Sequence, residues 1–169
     1  MERILVRKAH ACDLNDLRRF EQGVIEAERP FDPTLKPGQI LYYDLENMID
    51  NPLVALLVAE VQGRLIASGY ARIQPAAKPY LVYEAYAYLG FMYVLPEFRG
   101  RGVNAMILQA LKNWVAEQGF SEMRLEVYAA NEPAIRAYEK YGFARHMIEM
   151  RMPVDKSYKE EGKEGMGLL

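Results

Sequence analysis

Apolar and polar positions change period several times along the chain. Ile4 and Val6 alternate with Leu5 and Arg7, which predicts a short first strand. Leu14, Leu17, Phe20 and Val24 then recur at helical spacing behind Asp13, a residue suited to cap a helix, with Asp16 placed to reach back toward the open amides. Pro30, Pro33, Pro37 and Gly38 break the pattern, and Leu41, Leu45, Met48 and Ile49 restore it as far as Asn51-Pro52. Two helices joined by a proline-rich loop are expected. Residues 54–61 and 64–74 read as strands joined by the hairpin connection Gln62-Gly63, and Pro75 and Pro79 end that meander.

Strand-favouring residues return from Tyr80 to Val94, where Gly90 predicts a bulge or a close backbone approach. After a turn over 95–102, Val103, Ile107, Leu108, Leu111, Trp114 and Val115 form the apolar face of a helix ending at Gly119. A strand over 123–128 follows. Asn131 then caps a helix with Pro133 in its first turn, Gly142 closes it, and Phe143 to Met152 reads as a last strand. This order predicts a single α/β domain over residues 1–154, with a mixed, mostly antiparallel sheet flanked by helices. The unit from 80 to 128 is long enough for a right-handed crossover between parallel strands. Residues 155–169 mix Lys, Glu and Gly without periodicity and are expected to be a mobile tail.

The chain has 169 residues, 51% hydrophobic and 26% charged, which excludes disorder and fibrous architectures. A net charge of -2 gives no global pull toward nucleic acid or anionic membrane. One cysteine, Cys12, and two histidines, His10 and His146, argue against disulfides and against a metal site. The longest apolar run, 53–59, is far shorter than the ~18 residues of a membrane span, so a cytoplasmic location is expected.

Candidate chemistry gathers in two stretches. Phe98-Arg-Gly-Arg-Gly-Val-Asn104 lies where a strand gives way to a helix, the place where open amides and the helix dipole favour an anion. Two glycines allow close backbone approach, and Arg99 and Arg101 add forked donors, which suits a pyrophosphate or a 3'-phosphate. A Walker loop would need Gly-Lys-Ser/Thr, and a dinucleotide fingerprint would need a third glycine where Ala105 stands. Nucleotide hydrolysis is disfavoured accordingly. In the second stretch, Asn131 and Tyr138 lie seven residues apart, on nearly the same face of a helix.

The run from Val94 through Gly102 ahead of an amphipathic helix resembles the acyl-coenzyme A signature of the GNAT superfamily, the amine N-acetyltransferases. The family pattern Arg/Gln-x-x-Gly-x-Gly/Ala is met at Arg99 and Gly102, with Asn104 at its last position. The run Asn131-Glu-Pro-Ala134 to Tyr138 and Gly142-Phe143 is similar to a second stretch of that family, and the order of elements is also the family's. The resemblance implies a sheet that opens between its fourth and fifth strands to admit acetyl-coenzyme A. It implies that the amides of Arg99, Gly100, Arg101, Gly102, Val103, Asn104 and Ala105 hold the pyrophosphate. Met92 and Val94 would pair with the pantetheine arm as with an added strand, and Asn131 would contact it.

On that footing the expected function is transfer of an acetyl group to a primary amine by direct attack in a ternary complex, without a metal. Tyr138 would protonate the departing thiolate, a phenol of pKa near ~10 beside a thiol near ~8.5. Tyr141, one turn on, is the fallback. Relatives often carry a glutamate where this chain has Tyr86, and Glu84, the remaining acid in that run, is the candidate base through water. Glu97 fits a surface role better. The loop between the first two helices, with Glu26, Glu28, Arg29 and Phe31, and Tyr42 and Tyr43 beyond it, would shape the acceptor pocket. Its acids could attract a cationic amine, and Arg29 could hold an acceptor carboxylate. The acceptor is a small-molecule or protein amine, and exposed strand edges leave a homodimer open. The alternative is a catalytically silent acyl-coenzyme A binding or sensing module.

Overall fold

The computed structural model describes residues 3–152 and residue 154, so the tail lies outside the described residues. The elements run β1 (Leu5–Lys8), α1 (Leu14–Glu28), α2 (Leu45–Asp50), β2 (Val54–Val61), β3 (Arg64–Pro75), β4 (Ala85–Val94), α3 (Val103–Glu117), β5 (Met123–Arg124) and α4 (Glu132–Tyr141). They build one five-stranded sheet in chain order, antiparallel from β1 to β4 and parallel between β4 and β5. This is the mixed, mostly antiparallel α/β architecture that the hydrophobic pattern predicts.

Strand alternation sends side chains to two apolar layers. On one face Leu17, Phe20 and Val24 of α1 and Leu45 and Met48 of α2 pack on Leu56, Val58, Tyr70 and Phe91. On the other, Ile107, Leu108 and Leu111 of α3 cover Ala55, Ala67, Ala87 and Leu89, with Tyr138 and Tyr141 of α4 against the rim. Each fully buried large side chain stabilises by about 1.5–3 kcal/mol.

Several elements differ from the pattern. The fourth strand starts at Ala85 rather than Tyr80: the proline-bounded stretch before it is a loop, with Tyr80 76% and Val82 91% exposed. High β-propensity without a burying face does not make a strand. The second helix starts at Leu45 rather than Leu41, because the Tyr42 and Tyr43 amides are taken by a carboxylate of α1 and Asp44 caps the helix through the Asn47 amide. Asp13 does not cap α1; its carboxylate accepts from Arg7 and from the His10 amide inside a 3-10 turn. The fifth strand shrinks from 123–128 to Met123–Arg124 because β4 parts from it. The expected strand over 143–152 does not form: these residues join no ladder of the sheet.

The bulge forms. Between the pairs Tyr70↔Gly90 and Ser68↔Tyr93, β4 carries one residue more than β3, and Phe91 takes a φ of 56°. Side-chain parity reverses there: Tyr88 and, beyond the bulge, Phe91 and Tyr93 face α1, while Leu89, Met92 and Val94 face α3.

Candidate active site

The turn before α3 leaves a seat for an anion. Gly100 and Gly102 hold φ of 73° and 78°, a left-handed conformation that a Cβ would strain even though nothing lies within 4 Å of one. The opening amides of a helix have no intrahelical partner, and no side chain caps α3. Val103 is buried in the core, so its contribution to the seat is its main chain. Arg99 folds back, its Nε donating to the Val94 carbonyl at 3.1 Å. Arg101 rests over the Phe98 ring at 5.2 Å. The sequence-predicted residues 99–105 are thus brought together at one helix start, and their backbone suits a diphosphate.

Beside this seat the sheet opens. β4 and β5 pair only at Ala87↔Met123 and Tyr88↔Arg124, whereas β4 continues to Val94. Met92 and Val94 therefore lie on a strand edge that β5 leaves free. Phe91 sits at the same level, and its left-handed backbone costs roughly 1–2 kcal/mol. The Ser68 hydroxyl donates to its carbonyl at 3.0 Å, and Tyr43 hydrogen-bonds its backbone. Gly90 leaves room there, since a Cβ would lie 2.6 Å from the Tyr70 hydroxyl.

Tyr138 reaches the region from α4. Asn131 caps that helix, its Oδ1 accepting from the Ala134 amide at 3.3 Å, and Gly142 ends it in the left-handed region. The Tyr138 ring meets Phe143 edge to face, with centroids 5.8 Å apart. Burial pushes its hydroxyl up to about 12, and the charge of Glu28 adds to the rise. Glu28 ends α1 on the opposite face of the sheet, yet its field reaches Tyr138. Tyr141 is turned away, its hydroxyl donating to Gln109 at 3.3 Å.

The α1–α2 loop supplies the far wall. Burial raises the Glu28 carboxyl, a hydrogen bond from Tyr42 opposes the rise, and Asp32 adds to it. Tyr42 and Tyr128 are each pushed up to about 12, by burial first and Glu28 second. The Tyr128 hydroxyl donates to Asp32 at 3.3 Å, and its ring stacks on Phe31 with centroids 6.2 Å apart. Arg29 is spent within the loop, on Glu26 at 2.7 Å and on the carbonyls of Lys36 and Gly38.

Glu84 is not brought to this group: it is exposed, precedes β4, and its carbonyl accepts from Ala76. Glu97 pairs with Arg64 at 2.6 Å. Tyr86 lies toward the start of β4, taking a hydrogen bond from Gln74 at 2.6 Å under the Arg124 guanidinium. Three acids escaped sequence reasoning: Asp32, which takes the Tyr128 hydroxyl, Glu126 and Glu21. Glu126 hydrogen-bonds Tyr88, whose pKa is raised by burial and then by that charge. Glu21 is fully buried and accepts from the amides of Tyr42 and Tyr43 at 2.7 and 2.8 Å. Its position inside the apolar stripe of α1, between Phe20 and Val24, was the available signal, since an unpaired carboxylate is rarely buried.

The acetyltransferase (GNAT) family model matches residues 21–143, a span that includes the anion seat, the open strand edge and α4. The chain belongs to the GNAT family. This GNAT chain is 28% identical over 160 residues to thialysine N-epsilon-acetyltransferase of Sus scrofa, covering 88% of each chain. A "predicted acetyltransferase with acetyl-CoA" from Clostridium acetobutylicum shares its fold at a TM-score of 0.71 and 22% identity, covering 89% of this chain and 96% of that one. A Bacillus halodurans protein superposes at 0.80 with 19% identity, covering 89% and 99%. The GNAT chain is an enzyme of the N-acetyltransferase class.

Proposed function

We propose that the protein transfers the acetyl group of acetyl-coenzyme A to a cationic primary amine, by direct attack of the amine in a ternary complex. The observation that carries this reading is the field of Glu28, from the α1 side of the sheet, acting on the Tyr138 hydroxyl on the α4 side. On this reading the two groups act across a common gap, the carboxylate accepting the amine's proton and the phenol giving one to sulfur. Bound acetyl-coenzyme A supplies a thioester and a thiolate leaving group.

The remaining chemistry falls to the chain. The amides of residues 99–105 hold the pyrophosphate, and the backbone of Met92 and Val94 receives the pantetheine arm as a neighbouring strand would. Amide donors at the bulge near Met92 stabilise the developing oxyanion, and the bulge is stiffened for this by Ser68 and Tyr43. Glu28 and Asp32 attract the acceptor ammonium, while Tyr42, Tyr128 and Phe31 cover its hydrocarbon. Glu28, whose carboxyl is raised by burial, takes the amine's proton directly or through water; the role expected of Glu84 passes to it. Tyr138 protonates the thiolate. At ordinary pKa values the transfer is uphill by about 1.5 units, roughly 2 kcal/mol, and desolvation that lifts the phenol lifts a thiol in the same gap too.

Arg29 is unavailable to an acceptor carboxylate, which favours amines over amino-acid termini recognised through that group. Similarity to a thialysine acetyltransferase supports a small cationic acceptor. The test is release of free thiol with thialysine, diamines and lysine peptides. Tyr138→Phe should reduce turnover about 10²–10⁴-fold while coenzyme A still raises Tm as in the native protein. Undiminished turnover would remove Tyr138 from the mechanism. Coenzyme-dependent stabilisation with no amine-stimulated thiol release from the native protein would favour the sensing module instead.

A further inference from the structure

Phe91 is a bulky residue in a left-handed backbone, a conformation that persists where the surroundings over-determine it. Two side chains from other elements supply that hold. The Ser68 hydroxyl, buried in β3, donates to the Phe91 carbonyl at 3.0 Å. Tyr43 lays its ring against that of Phe91, centroids 4.7 Å apart, with the Tyr70 ring edge-on to it at 5.8 Å. Burial raises the Tyr43 phenol, and a hydrogen bond with the Phe91 backbone opposes the rise. A bond that eases ionisation of a phenol is one donated to its oxygen, so Tyr43 holds the Phe91 amide. Tyr43 is itself fixed from α1: its amide donates to Glu21 at 2.8 Å, and its carbonyl accepts from Arg18 at 3.3 Å.

Peptide geometry turns this hold into an aim. The Phe91 carbonyl and the Met92 N–H belong to one planar trans unit and point in opposite directions, so a carbonyl held toward β3 sends the Met92 N–H the other way. Strand alternation agrees. Leu95 donates its amide to Ile66 of β3 at 2.9 Å, which directs the Met92 and Val94 amides to the edge that β5 leaves free. Ser68 thus fixes the peptide plane after the strained residue, and Tyr43 the plane before it.

We infer that Ser68 is a positioning residue for acetyl transfer: by holding the Phe91 carbonyl it aims the Met92 N–H into the gap beside β5, with Tyr43 locking the preceding peptide. The inference deepens the acetyl-transfer reading and rests on it. Charge developing on the thioester oxygen is stabilised by a donor already in place, and a donor that must first rotate gives less. Ser68 is 1% exposed and reaches neither substrate, so its effect falls on kcat.

The experiment measures steady-state kinetics with acetyl-coenzyme A and thialysine, coenzyme A affinity by calorimetric titration, and amide hydrogen exchange, on the full chain as native, Ser68→Ala and Tyr43→Phe. Each variant removes one hydroxyl, and coenzyme A-induced thermal stabilisation checks folding. In Ser68→Ala kcat is expected to fall about 10–100-fold, less than the roughly 10²–10³-fold of a donor removed outright. Both KM values and the coenzyme A affinity should stay within about two-fold of native. Exchange over 90–92 should quicken by up to ~10-fold, and Tyr43→Phe should show the same split. Native kcat in Ser68→Ala, beside an active native protein, would overturn the positioning role alone. So would a loss carried by KM, or unchanged exchange over 90–92 in both variants. A native protein that releases no thiol with the amine would overturn the acetyl-transfer reading, and the inference with it.

Discussion

Glu21 gives the most quantitative test of how α1 shapes the acceptor side. Its Oε1 accepts from the Tyr42 and Tyr43 amides, and Arg18 lies 3.4 Å from its other oxygen while holding Glu46 at 2.6 Å. In Glu21→Ala both amides lose their acceptor where water has little access, at about 1–3 kcal/mol each, or about 2–6 kcal/mol in all. Glu21→Gln keeps a carbonyl oxygen in place and loses the charge, and charge-assisted bonds are roughly twice as strong as neutral ones, so about 1–2 kcal/mol is expected. In a domain of this size each kcal/mol moves Tm by ~2–4 °C, so Glu21→Ala is expected to fall further below the native protein than Glu21→Gln. Tyr42 touches Glu28 and Tyr43 touches the bulge, so release of this segment should raise the amine KM in Glu21→Ala and leave coenzyme A affinity nearly unchanged. The readouts are urea or thermal unfolding, and steady-state kinetics with each substrate varied. A Glu21→Ala protein as stable as the native one would refute the burial argument, and an equal loss for both substrates would refute the division of labour.

Other expectations follow from single groups. Glu28 is raised by burial, so the fold favours its protonated form, and that contribution is lost as pH rises through the elevated folded pKa. Glu28→Gln should therefore be at least as stable as the native protein near neutrality, with the difference closing below the ordinary glutamate pKa of 4.5, while its amine kcat/KM falls and loses the acidic limb; an unchanged profile would exclude Glu28 as base. Asp13 is held below 3.8 chiefly by Arg7, so its contribution is present above that pH and lost as pH falls through the folded pKa. Tm against pH should show native and Asp13→Asn converging in acid, and parallel curves would contradict it. Gly102→Ala should lose roughly 1–2 kcal/mol to left-handed strain and weaken coenzyme A binding, since the amides after it open the anion seat. Calorimetric titration with coenzyme A measures this, and native-like affinity would mean that the seat lies elsewhere.

What could be read in advance, and what could not, divides along physical lines. Asn131, Pro133, Gly142 and the 99–105 turn were legible because caps and left-handed glycines act within a few residues of themselves. The bulge was legible too, though the strained residue is Phe91 and Gly90 provides space for Tyr70. Strand ends were not, because a strand exists only against a partner: Tyr80–Glu84 and 125–128 have the composition of strands and lack the neighbour. The choice of Glu84 as candidate base rested on the same local view. Glu84 shares a run of sequence with the bulge, but Glu28 is carried there by α1 from more than fifty residues upstream, and Glu126 by the crossover through α3. Proximity along the chain singled out Glu84, whereas we place the base at Glu28, whose charge raises the Tyr138 phenol from the other face of a sheet that opens between β4 and β5. If that opening is what makes the site, catalysis should be far more sensitive to a substitution that lets β4 pair further along β5 than to any change at Glu84.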